Sequence, residues 1–97
     1  MPAYILAEIG EIHDQATYDR YRAETPGAIG KFGGRFLVRG GKTEAVEGDW
    51  LPGRLVVIEF PDMATAKRFY ASPEYQKILP LRLTASRGGK VIFAEGV

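Results

Sequence analysis

Arginine and tyrosine side chains supply most of the chemistry that this sequence could perform. Guanidinium groups bind carboxylates and enolates through paired hydrogen bonds, and phenols offer a polar tip on a flat apolar ring. The tyrosines recur at helical spacing, which predicts core packing in which each buried hydroxyl needs a partner. Arginines can be those partners, or the same groups can hold a ligand. The residues that we predict to bind a small organic acid or aromatic ligand are Tyr18, Tyr21, Arg39, Arg54, Tyr70 and Arg82.

Catalysis would also need a group that moves a proton. Glu59 lies among apolar residues of a predicted strand, and we choose it as the candidate catalytic base. His13, the only histidine, is a second candidate, because imidazole titrates near neutrality. Its place in a loop beside Asp14 is more typical of a solvent-facing or capping side chain. One histidine and no cysteine leave only carboxylates as companions for a metal ion, so we predict no metal site.

Composition argues against several other classes of function. The 13 basic and 12 acidic residues are interspersed, so neither a nucleic-acid-binding arm nor a polybasic membrane patch is indicated. The absence of cysteine excludes disulfides and thiolate nucleophiles. No apolar run approaches the ~20 residues that cross a bilayer, and the first ten residues do not resemble a signal peptide. We therefore expect a cytoplasmic protein without a cofactor.

Four strands and two helical regions must position these side chains. Strand-forming runs predict strands over residues 3–9, 35–39, 54–60 and 90–95. Helical spacing follows Asp14, a candidate N-cap, with Pro26 expected either to kink this helix or to start a second short segment. It returns after Pro61, where Ser72 and Pro73 are predicted to restart the helix and Pro80 to kink it. The order β-α-β-β-α-β is typical of the ferredoxin-like α+β fold, an antiparallel four-stranded sheet with both helices on one face. Residues 1–97 are expected to form this single domain, with its first and third strands adjacent and parallel.

The two faces of the sheet are predicted to differ. Strict alternation places a wholly apolar set under the helices: Ile5, Ala7, Ile9, Phe36, Val38, Val56, Ile58, Phe60, Ile92 and Ala94. The opposite set mixes large apolar residues with five charges: Glu8, Arg35, Arg39, Glu59 and Glu95. Because an exposed face of this kind usually marks an interface or a ligand site, we predict that two chains pack these faces together as a homodimer. Glu8 and Glu59 are expected at the same end, with Arg35 near them. The charges either line a partly enclosed site or form ion pairs between strands.

Four segments resemble one family: "GGRFLVRGG" (33–41), "EG" (47–48), "RLVVIEFP" (54–61) and "FYASPEYQ" (69–76). Through them the chain is similar to the small bacterial proteins of Domain of Unknown Function 1330, within the dimeric α/β-barrel superfamily. The resemblance implies a ferredoxin-like protomer and a homodimer, and it implies no established activity. More distant members of the superfamily include cofactor-free quinone-forming monooxygenases, muconolactone isomerase-like enzymes and haem-dependent proteins.

Three hypotheses about function remain open at this point. The chain is a cofactor-independent isomerase or monooxygenase for a small aromatic or enolisable acid, in which Arg39 binds the anion and Glu59 or His13 moves the proton. Alternatively, it is a dimer that binds a small ligand without turnover. In the third hypothesis it is a structural domain whose face charges are satisfied across the subunit contact. Haem binding through His13 is a minor fourth option.

Overall fold

A four-stranded antiparallel sheet forms the centre of the computed structural model, which describes residues 1–97. The strands lie in the order β3-β4-β1-β6, and a separate two-residue ladder joins β2 to β5. The ferredoxin-like α+β fold is therefore confirmed, whereas the small ladder was not predicted. The elements are β1 (Ala3–Ile9), β2 (Glu11–Ile12), α1 (Gln15–Lys31), β3 (Arg35–Arg39), β4 (Arg54–Phe60), α2 (Met63–Ala71), α3 (Pro73–Gln76), α4 (Leu79–Ala85), β5 (Ser86–Arg87) and β6 (Lys90–Glu95).

The first helix begins where its capping residue predicts. The Asp14 carboxylate accepts hydrogen bonds from the Thr17 hydroxyl at 2.7 Å and from the Thr17 backbone N–H at 3.1 Å. These two bonds lower the pKa of Asp14, the hydroxyl having the larger effect, because both favour the charged form. Pro26 lies inside α1 without dividing it. One long helix therefore carries a continuous row of side chains over the sheet.

The second helical region is three short helices, with the predicted restart at Ser72 and Pro73 and a further break before Pro80. Ser72 ends α2 and caps α3, since its hydroxyl accepts from the Tyr75 backbone N–H at 3.2 Å while Pro73 opens the new helix. Pro80 stands at the start of α4, where its missing N–H costs no helical hydrogen bond. None of the helices combines the length and the apolar character that crossing a membrane requires.

The buried core lies between the helices and one face of the sheet. On β1 and β4 every second residue points to it, as alternation predicts. Phe60 and Phe69 are almost fully buried and their ring centroids are 5.1 Å apart, which joins the sheet to α2. Burial of each such ring contributes about 1.5–3 kcal/mol to stability.

The prediction that the first and third strands run parallel is wrong. β1 and β4 are antiparallel neighbours, with Tyr4 opposite Glu59 and Glu8 opposite Leu55. The strand parallel to β1 is β3, which the crossover through α1 places on the far side of β4. Glu8 and Glu59 consequently lie at opposite ends of the sheet. Arg35 does lie directly opposite Glu59, as expected.

A β-bulge in β3 makes the Arg39 side chain point to the opposite face from the one predicted. The register shifts between Phe36 and Val38, so that Val38 pairs with Val57 and Arg39 pairs with Val56. The extra residue reverses the alternation, because a bulge sets two residues against one on the partner strand. Arg39 therefore lies on the helix-covered face and Val38 on the open face, the reverse of the prediction.

The edge strand β6 also differs from the predicted alternation by one residue. Phe93 lies opposite Ile5 and Val91 opposite Ala7, so these β6 residues share the covered face. Ile92 is 59% exposed and belongs to the open face, together with Ala94. Both alternating sets of this strand contain apolar residues, and hydrophobicity therefore could not select the register.

Candidate functional site

A cavity lies between the covered face of the sheet and the helices. About 40 Å³ of it is open to the centre of a water molecule. Because one water needs roughly 10–15 Å³ by this measure, the cavity has room for about three waters or an organic acid of similar size. Its lining contains arginines and tyrosines but no carboxylate and no histidine. The polar aromatic and basic lining residues are Tyr18, Tyr21, Arg22, Arg39, Arg54, Tyr70, Tyr75 and Arg82.

All six residues predicted to bind a ligand lie in this lining. The helix α1 brings several of them together, because Tyr18, Tyr21, Arg22 and Thr25 are spaced by three and four residues and share one helical face. The strands and the short helices supply the others. The structure therefore places the predicted residues around one space, within a single protomer and on the side of the sheet opposite to the predicted dimer contact.

Three of the arginines meet at one end of the cavity. The Arg39 guanidinium lies 4.4 Å from the centre of the Phe36 ring and donates a hydrogen bond to the backbone carbonyl of Arg22. Burial lowers the pKa of Arg39, and the positive charges of Arg22 and Arg54 lower it further. This group of Arg22, Arg39 and Arg54 is called the mouth cluster below.

Arg54 is held against a buried phenol. Its Nε donates to the Tyr18 hydroxyl at 3.0 Å, which confirms the prediction that an arginine satisfies a buried tyrosine. Gly40 makes room for this arginine, because a Cβ on Gly40 would collide with the Arg54 guanidinium. Gly40 also has a φ of 73°, which residues with side chains rarely adopt. The glycine after β3 is therefore part of the site as well as a turn residue.

A pair of phenols lines the cavity beside Arg82. The Tyr21 and Tyr75 hydroxyls share a hydrogen bond of 2.8 Å, and both phenols also interact with the Arg82 guanidinium. Burial raises the pKa of Tyr21, and the neighbouring Tyr75 raises it further. The Tyr21 phenol thus stays protonated and available as a hydrogen-bond donor at any physiological pH.

Arg82 is a buried positive charge without a negative partner. Only 6% of the residue is exposed, and its guanidinium lies 5.8 Å from the centre of the Tyr21 ring. Burial alone would lower the pKa of Arg82, but the Tyr75 and Tyr21 phenols raise it, so this arginine stays charged without a carboxylate beside it. The ion pairs of the chain all lie elsewhere and leave every cavity arginine without a carboxylate: Lys31–Glu74, Arg35–Glu59 and Arg87–Glu11.

The two residues predicted to move protons lie outside the cavity. Glu59 is on the open face of the sheet, where its carboxylate accepts from Arg35 Nε at 2.7 Å in a wide, shallow depression. His13 is exposed in the turn before α1. The predicted ligand-binding residues and the predicted bases are therefore separated, and no carboxylate or imidazole faces the cavity arginines.

Two of the arginines and tyrosines in the lining, Arg22 and Tyr75, are not among the six residues predicted to bind a ligand. Arg22 follows Tyr21 and lies one helical turn after Tyr18, so the helical spacing contained the signal needed to include it. Tyr75 belongs to a different short helix, and only the folded chain shows that its hydroxyl meets Tyr21.

Comparison with known proteins identifies a family and a fold but no activity. The family model described as Domain of unknown function (DUF1330) matches residues 2–97. None of the curated proteins matches the chain.

Solved structures with the same fold share little sequence with this chain. A protein of unknown function from Rhodopseudomonas palustris is 16% identical, with a TM-score of 0.77 over 99% of this chain and 82% of that chain. A dimeric ferredoxin-like protein of unknown function from Jannaschia sp. is 16% identical, with a TM-score of 0.71 over 99% of this chain and 100% of that chain. A putative antibiotic biosynthesis monooxygenase from Nitrosomonas europaea is 10% identical, with a TM-score of 0.56 over 99% of this chain and 89% of that chain. At these identities the likeness establishes the fold alone.

Proposed function

The chain belongs to the family described as Domain of unknown function (DUF1330), and we propose that it binds a small organic acid, as an anion, in the cavity under its helices. One observation carries the proposal. Arg22, Arg39, Arg54 and Arg82 line a single cavity in which no carboxylate is present to balance them. An organic anion would supply the missing charge and form charge-assisted hydrogen bonds with the guanidinium groups.

The size and polarity of the cavity support a small ligand. The lining is mostly apolar apart from the arginines and phenols, as in many small-molecule sites where a few polar groups orient the ligand. Two of the phenols, Tyr18 and Tyr75, are at most 4% exposed. An anion here would be shielded from water, which strengthens its attraction to the guanidinium groups.

Catalysis by the same cavity is the second candidate. The Nitrosomonas europaea relative is described as a putative monooxygenase, and guanidinium and phenol donors could stabilise an enolate formed from a bound acid. A cofactor-independent isomerase or monooxygenase would still need a base. Glu59 and His13 lie outside the cavity, so binding without turnover is the function that the geometry supports better.

The proposal includes a homodimer formed through the open face of the sheet. Ile92, Leu6, Val57 and Val38 form an apolar row across all four strands of this face. Charged residues flank the row on both sides, which matches the apolar centre and polar rim of protein interfaces. The Jannaschia relative with this fold is described as dimeric. A cytoplasmic location stays a prediction.

The binding proposal is tested by thermal denaturation with increasing concentrations of acetate, propionate and benzoate at constant ionic strength. We expect a saturable rise in melting temperature for at least one acid, because a ligand at about one hundred times its dissociation constant adds about 2.7 kcal/mol to stability. Arg39→Gln should weaken this effect. Arg35→Gln is the matched control, because Arg35 is an exposed arginine of the same strand outside the cavity.

The proposal would be contradicted if acids raised the melting temperatures of Arg39→Gln and Arg35→Gln equally, or if no acid raised the melting temperature of the unchanged chain. Catalysis is distinguished from binding without turnover by NMR, which follows exchange of the α-protons of a bound acid in heavy water. Binding without turnover predicts no exchange above that in buffer, and an enolising enzyme predicts exchange that depends on the protein.

A further inference from the structure

We infer that the ligand of this cavity is a short dicarboxylic acid, with one carboxylate at the mouth cluster and the other at Arg82. The inference rests on the proposed function, since it specifies which class of acid the same site takes. The cavity arginines form two groups, the mouth cluster and Arg82, in one small space without a carboxylate.

The two positive positions lie beside different tyrosine rings. The Arg54 guanidinium lies 5.6 Å from the centre of the Tyr18 ring, and the Arg82 guanidinium lies 5.8 Å from the centre of the Tyr21 ring. The two rings are themselves 5.7 Å apart. Each guanidinium is thus associated with its own tyrosine, and a single carboxylate bound at one of them leaves the other uncompensated.

Arg82 gives the strongest reason for a second carboxylate. It is buried to 94% (6% exposed), lines the cavity and takes part in no ion pair. A monocarboxylate bound at the more accessible mouth cluster would leave the buried Arg82 charge without a negative partner. A second carboxylate a few atoms further along the same ligand would supply that partner.

The phenols beside Arg82 are suited to receive that carboxylate. Tyr21 and Tyr75 currently bond to each other through their hydroxyls at 2.8 Å. Hydroxyl hydrogens rotate freely about the C–O bond, so either phenol can donate to a ligand oxygen instead. The Arg82 position therefore offers a guanidinium and a phenol O–H to one carboxylate. The small size of the cavity favours the shortest dicarboxylic acids.

Isothermal titration calorimetry with acids of matched carbon number tests this inference. Malonate is compared with propionate, and succinate with butyrate, at mildly alkaline pH and constant ionic strength. Inorganic phosphate, a dianion under these conditions, controls for charge alone because both its charges lie at one point. We expect at least one dicarboxylate to bind about tenfold or more tightly than its monocarboxylate partner and than phosphate, because the second carboxylate adds charge-assisted hydrogen bonds.

Substitutions at the mouth cluster or at Arg82 should remove the preference for dicarboxylates over monocarboxylates. In Arg82→Gln, and in the double variant Arg39→Gln with Arg54→Gln, dicarboxylate and monocarboxylate affinities should differ less than about threefold, because only one position remains for a carboxylate. Arg35→Gln should keep the full preference, since Arg35 lies outside the cavity. If Arg82→Gln does not fold, the double variant alone decides the question.

The outcomes distinguish this inference from the proposed function. Equal affinities of dicarboxylates and monocarboxylates, or phosphate binding as tightly as malonate, would overturn the two-carboxylate inference and leave acid binding in place. A preference that survives the double variant Arg39→Gln with Arg54→Gln would also overturn it. Failure of every acid to bind would overturn the proposed function together with this inference.

Discussion

Arg82 is the residue for which a fold-stabilising role and a ligand-binding role predict the most different surroundings. A residue that only stabilised the fold would be expected to satisfy its charge within the chain. Arg82 instead faces the rings of a cavity and has no carboxylate partner, although the chain contains 12 acidic residues. The Tyr75 and Tyr21 phenols hold this charge in the empty protein, and only a bound acid would neutralise it.

Replacement of Arg82 by methionine tests this explanation. Methionine keeps much of the apolar stem and removes the charge, so we expect Arg82→Met without ligand to be as stable as the original chain, or more stable by about 1–4 kcal/mol. The measurement is urea denaturation with and without a binding acid. The variant should also lose most of the stabilisation that the acid gives to the unchanged protein.

Arg87→Met is the control for loss of an arginine as such, because Arg87 is largely exposed and its pairing with Glu11 at 3.6 Å is weak. We expect a change within about 0.5 kcal/mol and an unaltered response to acid. A marked loss of stability in Arg82→Met would show that Arg82 supports the fold and would weaken the case for an acid at that position.

At the level of elements, sequence patterns located the strands and helices but not every side-chain direction. The four long strands have the predicted bounds because strand-forming runs end at glycines or prolines. The direction of Arg39 depends on the bulge in β3, and that of Phe93 on the register of an edge strand with apolar residues on both faces. Pairing between strands decides both features, and a single strand's sequence contains no information on its partner's register.

Gly40 connects the end of β3 to the site, which gives a prediction at this scale. In Gly40→Ala the new methyl group would displace the Arg54 guanidinium, so acid affinity should fall, and the positive φ should cost about 1–2 kcal/mol of stability. Gly48→Ala has nearly the same φ, at 75°, with open space around it. It should lose stability without losing affinity.

Gly41→Ala completes the comparison, since its Cβ would meet no atom within 4 Å and its φ is not positive. We expect it to change neither property. Titration calorimetry and urea denaturation of the three variants measure the two effects separately. A loss of acid affinity in Gly48→Ala equal to that in Gly40→Ala would indicate a general effect of backbone strain rather than displacement of Arg54.

At the scale of the whole molecule, the two sides of the sheet carry separate features. The cavity lies on the helix side, within one protomer, and the apolar row lies on the open side. The predicted site was expected to depend on the dimer, because Arg39 was assigned to the open face. Because the bulge turns Arg39 to the cavity side of the sheet, the cavity and the apolar row share no residue, and dimer formation and acid binding can be tested independently.

Leu6→Glu should disrupt the dimer, because Leu6 pairs with Val57 and Ile92 at the centre of the open face. Light scattering during size-exclusion chromatography should report a dimer for the unchanged chain and a monomer for this variant. The control is Leu83→Glu, which alters an exposed leucine of α4 on the other side of the molecule. If Leu6→Glu stays dimeric, or if the unchanged chain is a monomer, the open face is not the subunit contact.

The central claim is that the arginines of the cavity meet an acid, and NMR of isotopically labelled arginine side chains tests it most directly. During a titration with malonate, the Nε–Hε signals of Arg39, Arg54 and Arg82 are predicted to shift together and to saturate at one acid per chain. The signals of Arg35 and Arg87, which lie outside the cavity, should hardly move. Shifts confined to these two exposed arginines, or shifts that never saturate, would contradict the account.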